Sequence, residues 1–191
     1  MPAKCRNYDC VLEYAALDEG VGIDYFGVGA DGQVPVWKLH GSCNMFSAGV
    51  QAGQGVMYGQ GVVFEGGIQA WLDRSRVIEH CLVETGLAPV MCQYMDGKPT
   101  TVSPSAIRPL QAQWAESVAS ASLVVCVGVR LHPIDTHIWQ PLEHSPVHLA
   151  YSGDRMIYEP WLASRTTGAA SWLGRRFNEA FSAILQRLEA L

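Results

Sequence analysis

The sequence predicts an α/β fold with a doubly wound, mostly parallel sheet, and three observations lead to it. Helical and strand patterns alternate along the chain in the order αβαβαβα. Leu123 to Val129, with Gly128 near its end, is an unalternated apolar run, the pattern of a central parallel strand covered on both faces. No internal repeat or low-complexity linker divides the 191 residues, so a single domain over 1–191 is expected. An apolar content of 49% against 16% charge supplies the core such a domain needs.

The elements follow in order. Asp9 to Leu17 places Val11, Leu12, Ala15 and Ala16 on one helical face and meets a stop at Gly20. Pro35 to Leu39 is a short strand broken at His40-Gly41-Ser42, which puts His40 at a strand's carboxyl end. Residues 47–67 carry many glycines around the β-like pieces Val56 to Tyr58 and Val62 to Phe64, a loop or small hairpin. These glycines do not form a G-x-G-x-x-G turn between a strand and a helix, so they are not a phosphate-binding loop. Ile68 to Thr85 has Ile68, Leu72, Val77, Ile78 and Leu82 near helical spacing, and residues 43–88 together are expected to be a Gly-rich loop and helix inserted in the domain.

Pro89 to Tyr94 is a buried strand, and Ser105 to Ser122 fits a helix. Pro133 to Trp139 opens another helix, Pro146 to Tyr151 is a further strand, and Ser171 to Leu191 is a terminal amphipathic helix. Strands near 36–39, 90–94, 123–128 and 147–151 are expected in one sheet, with a ligand in the crevice beyond their carboxyl ends.

Composition removes several function classes. The net charge is −5, the pI is near 5.6, and Lys and Arg are scattered, so nucleic acid is not an expected partner. There is no opening apolar stretch of signal-peptide length and no run of roughly 18 apolar residues, which predicts no membrane span and a cytoplasmic location. Cysteines stand at 5, 10, 43, 81, 92 and 126 without a C-x-x-C pair, so no zinc ribbon is spelled out and the thiols are expected to stay reduced. His132 and His137 miss the i, i+4 spacing of a helical metal pair, with Pro133 between them, and no metal is expected. Asp135 reads as a helix N-cap or first-turn carboxylate. Trp139, Trp161 and Trp172 read as core or cover.

Three loops fall at carboxyl ends of strands, or where such ends would be: Asn7-Tyr8-Asp9, His40-Gly41-Ser42, and the stretch from Gly128 through Arg130 to Asp135. A neutral imidazole accepts a hydroxyl proton near neutral pH, and Asn or Asp can fix a ribose hydroxyl, an amide or a water. These residue types suit nucleoside chemistry. A lone strand-end histidine is otherwise a structural feature.

Lys38-Leu39-His40-Gly41-Ser42 resembles the strand and histidine motif of sirtuins. Asn7-Tyr8-Asp9, followed by Leu12-Glu13, resembles the Asn-x-Asp motif that precedes it in divergent bacterial sirtuin-like families. Val125 to Asp135 resembles the family's later strand, glycine loop and Pro-x-Asp helix start, and Pro89 to Lys98 its preceding strand. The resemblance implies a Rossmann-like, NAD-binding domain. It implies His40 as a base toward the nicotinamide ribose hydroxyls, with Asn7 and Asp9 positioning water or nicotinamide. Gly41, Ser42, Gly128, Arg130 and Asp135 are the implied cofactor-binding positions. Loss of nicotinamide passes through a cationic sugar, which such a base and an oriented nucleophile would stabilise.

This sequence departs from the family in three ways. No strand and glycine-rich turn precedes Asn7, Cys5 or Arg6 replaces the usual Thr before that motif, and Arg130 stands where a small hydroxyl residue is common. The segment that holds the pyrophosphate is therefore expected to be missing from these residues, supplied by a complementing amino-terminal segment. The implied activity is NAD cleavage of the glycohydrolase type. An NAD-dependent protein deacylase is the second reading, disfavoured by the missing paired-cysteine zinc module. A non-catalytic binding module, a truncated remnant, is the third. NAD is the expected ligand, and a homo-oligomer is an open alternative.

Overall fold

The computed structural model describes residues 10–27, 32–49, 56–58, 61–83, 88–92 and 100–190. Asn7 and Asp9 lie outside these residues. The chain divides into two compact units, Met1–Ala112 and Gln113–Leu191.

In the first unit, α1 (Val11–Asp18) forms where the sequence predicts it, but with a different face inward. Val11 and Leu12 are exposed, and the buried residue is Glu13. The reason is an ionic partner: a carboxylate enters the interior when a cation and a hydroxyl meet it there. After the Gly20 stop, β1 (Gly22–Asp24) pairs in parallel with β2 (Gln33–Pro35). Between them Asp24 accepts the N–H groups of Phe26 and Gly27 at 3.1 and 2.8 Å, a side chain standing in for a backbone turn.

β3 (Met45–Ser47) and β6 (Ile68–Ala70) form an antiparallel pair, and β4 (Val56–Tyr58) and β5 (Gly61–Val63) another. The latter is the hairpin expected in the glycine-rich stretch. Ile68 was expected to begin a helix. Its segment is instead a strand, and the helix α2 starts only at Arg74 (Arg74–Val83), where Asp73 accepts the N–H groups of Ser75 and Arg76. Three residues cannot distinguish periods of 2 and 3.6, and pairing with β3 decides. His80 packs edge to face on both Phe46 and Trp71, whose rings are tilted against each other, with the Arg76 guanidinium over the Trp71 ring at 3.9 Å.

Of the segments expected as strands, 36–39 and the described residues 90–92 make isolated bridges rather than ladders, while 93 and 94 lie outside the described residues. Leu39 bridges Gly41, and Gly41 bridges Met91 in antiparallel sense. They serve as core: Val36, Met45 and Val90 are fully buried. α3 (Pro104–Ser120) runs across the division between the units, with Ile107, Leu110, Trp114 and Val118 as its buried stripe.

The second unit is a three-stranded parallel sheet in the order β7 (Leu123–Val127), β8 (His148–Ser152), β9 (Ala170–Gly174). Helices α4 (Thr136–His144) and α5 (Arg155–Leu162) make the connections, and α6 (Phe177–Glu189) follows β9. This is the alternating α/β pattern that parallel pairing requires. Two details differ from expectation. The middle strand is β8, not β7, and β8 is the more deeply buried: Leu149, Ala150, Tyr151 and Ser152 are all interior, whereas Val124 and Val125 are half-covered. Residues 171–174 were expected to open the terminal helix, yet β8 recruits them into the strand Ala170–Gly174, and Gly174 at φ 148° turns the chain into α6.

Arg165 ties this unit together. Its guanidinium donates to the carbonyls of Leu142, Ser145, Val147 and Ala169 at 2.9 to 3.3 Å, joining the end of α4 to the entries of β8 and β9. Burial draws its pKa below the usual arginine range. Tyr151, Tyr158, Trp139 and Trp161 form an aromatic layer, with Tyr151 and Tyr158 stacked at 4.7 Å. Trp139 is core as expected, while Trp172 is exposed and donates its indole N–H to Gly153 O. Among the described residues no helix is long and apolar enough to cross a membrane.

Candidate functional site

His40 is buried, at 3% exposure, in a turn whose backbone is pinned on each side. Its carbonyl accepts the Cys92 N–H at 2.8 Å, Gly41 N–H donates to Lys38 O at 2.9 Å, and Ser42 N–H donates to Val90 O at 2.9 Å. The Gln111 amide donates to Leu39 O at 3.0 Å. Gly41 has φ 75°, and a Cβ there would overlap the Val90 carbonyl. Glycine at 41 is thus dictated by backbone geometry: only glycine permits both the left-handed turn and the close approach to Val90. Gly41→Ala is expected to lower stability by about 3 kcal/mol, combining the left-handed penalty with displacement of the 88–92 segment. The midpoint of urea unfolding checks it, and an unchanged midpoint contradicts the packing described.

Beneath this turn lies a buried polar network that sequence reasoning missed. Lys38 Nζ meets Glu13 Oε1 at 2.6 Å, both side chains fully buried. Tyr25 donates its hydroxyl to the same oxygen at 3.0 Å, and Asn44 Nδ2 donates to the Tyr25 hydroxyl at 2.8 Å and to Trp71 O at 2.9 Å. Burial, then the Glu13 charge, pushes the Tyr25 phenol well above its usual range, so it remains a donor. The signal was present in Lys38, a cation within the apolar stretch Val36-Trp37-Lys38-Leu39, and in Glu13, a carboxylate at a helical position that must turn inward to meet it.

Ser42 is fully buried, with its hydroxyl 3.7 Å from the Cys10 sulfur. Cys43, next in the chain, is half-buried and brings its sulfur to 3.8 Å from that of Cys10. Burial pushes the Cys10 thiol up to about 12, with the Ser42 hydrogen bond opposing and the charges of Cys43 and Glu13 adding.

In the second unit, Gly128 has φ 65° just beyond β7 and is exposed, and a Cβ there would meet open space among the described residues. Its glycine identity therefore answers to conformation alone. Glycines also close the other two strands: Gly153 follows β8 and Gly174 ends β9, both with positive φ, and each precedes a helix. The Tyr158 hydroxyl donates to the Val129 carbonyl, which anchors the loop after Gly128. Arg130 is exposed.

Asp135 holds the N-cap position of α4 and is fully buried, but its carboxylate does not bond the helix N–H groups. Its carbonyl takes that part, accepting from Ile138 and Trp139 at 2.9 and 3.1 Å. The His132 ring accepts the Ile134 N–H through Nδ1 at 3.3 Å, a local turn contact. The sequence-predicted residues thus fall in both units: His40, Gly41 and Ser42 share one turn of the first, and Gly128, Arg130 and Asp135 share the loop after β7 in the second. No protein-family model, curated protein or solved structure matches the chain.

Proposed function

We propose that the chain is a sirtuin-like NAD-binding domain that cleaves NAD at the nicotinamide bond. The observation that carries this reading is the His40-Gly41-Ser42 turn, where an enforced glycine fixes a buried histidine at the end of an apolar segment. In this reading His40 is the base toward the ribose hydroxyls. The parallel sheet of the second unit adds support, since its strands end in glycine turns that precede helices, an arrangement able to admit a dinucleotide to backbone N–H groups. Gly41, Ser42, Gly128, Arg130 and Asp135 carry the cofactor-holding roles assigned by the sirtuin resemblance, and Asn7 and Asp9 the positioning roles. Arg130 suits phosphate through its forked donors.

The test is release of nicotinamide from NAD by residues 1–191, compared with the same chain joined to a glycine-rich strand, turn and helix. Affinity for a dinucleotide depends on backbone donors at its pyrophosphate, so little release is expected from the first and clear release from the second. Robust release by residues 1–191 alone would contradict the need for that segment. Release by neither would leave the non-catalytic module as the better reading.

A further inference from the structure

We propose that Cys10 and Cys43 are a redox-active pair, which a peroxide converts to a disulfide that ties the amino end of α1 to the His40-Gly41-Ser42 turn. Both residues belong to the first unit, and their sulfurs stand 3.8 Å apart. A disulfide bond is about 2.05 Å long, so closure asks for a movement of roughly 2 Å, within the range of side-chain rotation. Cys10 occupies the N-cap of α1, and Cys43 lies between the turn and β3. Their 33-residue separation makes this a long-range link across the unit rather than a local loop.

The two thiols differ in a way that assigns their roles. Cys43 is half-buried and open to an oxidant, whereas Cys10 is 3% exposed. Burial first, and then neighbouring charge, keeps Cys10 protonated near neutral pH. Cys43 is therefore the sulfur that meets peroxide. Its thiolate attacks one peroxide oxygen, an S–O bond forms as the O–O bond breaks, and the departing hydroxide takes a proton to become water. The Cys10 sulfur then attacks the Cys43 sulfur of the resulting sulfenic acid. The S–S bond forms as the S–O bond breaks, and the Cys10 thiol proton leaves with that hydroxide as a second water. Two thiols are oxidised by two electrons and hydrogen peroxide is reduced to water, so the step balances. Contact between the two sulfurs offsets the slowness of the Cys10 thiol. The inference does not depend on NAD chemistry, because its readout is covalent.

The experiment treats the full 191-residue chain with hydrogen peroxide, alkylates remaining thiols, digests with trypsin without reduction and reads the masses. Cleavage at Arg6, Lys38 and Arg74 places Cys10 in residues 7–38, Cys43 in 39–74, and Cys5 in neither. The expected product is the first two peptides joined, lost on treatment with dithiothreitol. In Cys10→Ser, which keeps a hydroxyl at that position, Cys43 is expected to stop at a sulfenic acid that dimedone captures. In Cys43→Ser, Cys10 is expected to stay unmodified. Cys43 carried to sulfinic acid without the linked peptide, Cys10 joined to Cys5, or no oxidation of either thiol would each overturn the proposal.

Discussion

Lys38→Met is expected to cost about 3–5 kcal/mol of stability, because it strips the cation from a fully buried carboxylate. Lys38 and Glu13 meet at 2.6 Å with both side chains at 0% exposure, where water cannot take over the lost interaction. The Tyr25 hydroxyl would still donate to Glu13, but a single neutral donor does not offset an uncompensated buried charge. A second substitution separates the worth of the pair from the cost of breaking it. Glu13→Gln combined with Lys38→Met removes both charges and keeps similar volume, and this double variant is expected to lose less than Lys38→Met alone. Urea unfolding of the three proteins is the check. A loss under about 1 kcal/mol for Lys38→Met would mean that the pair is solvated, as surface pairs are.

The same pair shows what a sequence discloses and what it withholds. α1, α3, β7 and β8 were legible because each carries enough residues for its period, or its unbroken apolar run, to stand out. β6 and β9 were not. Ile68-Gln69-Ala70 and Ala170 to Gly174 adopt strand geometry because β3 and β8 offer them ladders, a tertiary fact that overrides local spacing. The central position of β8 was hidden for a related reason: its run His148 to Ser152 mixes polar and apolar residues, whereas β7 is the more uniformly apolar.

The candidate site divides in the same manner. The break at Gly41 followed from residue types alone, and the structure supplies its cause in the approach to Val90; the strand expected before His40 is only an isolated bridge, so the histidine stands in a turn and not at a strand's end. The inward turn of Glu13 could not be read from α1 alone, since Val11 and Leu12 marked a face that is in fact exposed, and the partner twenty-five positions away explains it. Asp135 was rightly placed at the start of α4, but its buried carboxylate makes no capping bond, so its position in the sequence misstated its contacts.

We propose His40 as the base in nicotinamide loss, and the most direct measurement is nicotinamide release by the chain joined to a glycine-rich strand, turn and helix, and by the His40→Ala variant of that protein. A base that pulls on a ribose hydroxyl acts chiefly as positive charge develops on the sugar, and general-base contributions are typically about 10²–10⁴-fold. His40→Ala is therefore expected to lower kcat by roughly that factor, with a much smaller change in NAD affinity. The turn is held by backbone hydrogen bonds of residues 38–42 and by Gly41, none of which uses the imidazole, so these contacts survive the substitution. A drop in kcat with NAD binding retained is the predicted result. Unchanged nicotinamide release by the joined His40→Ala protein would contradict the assignment.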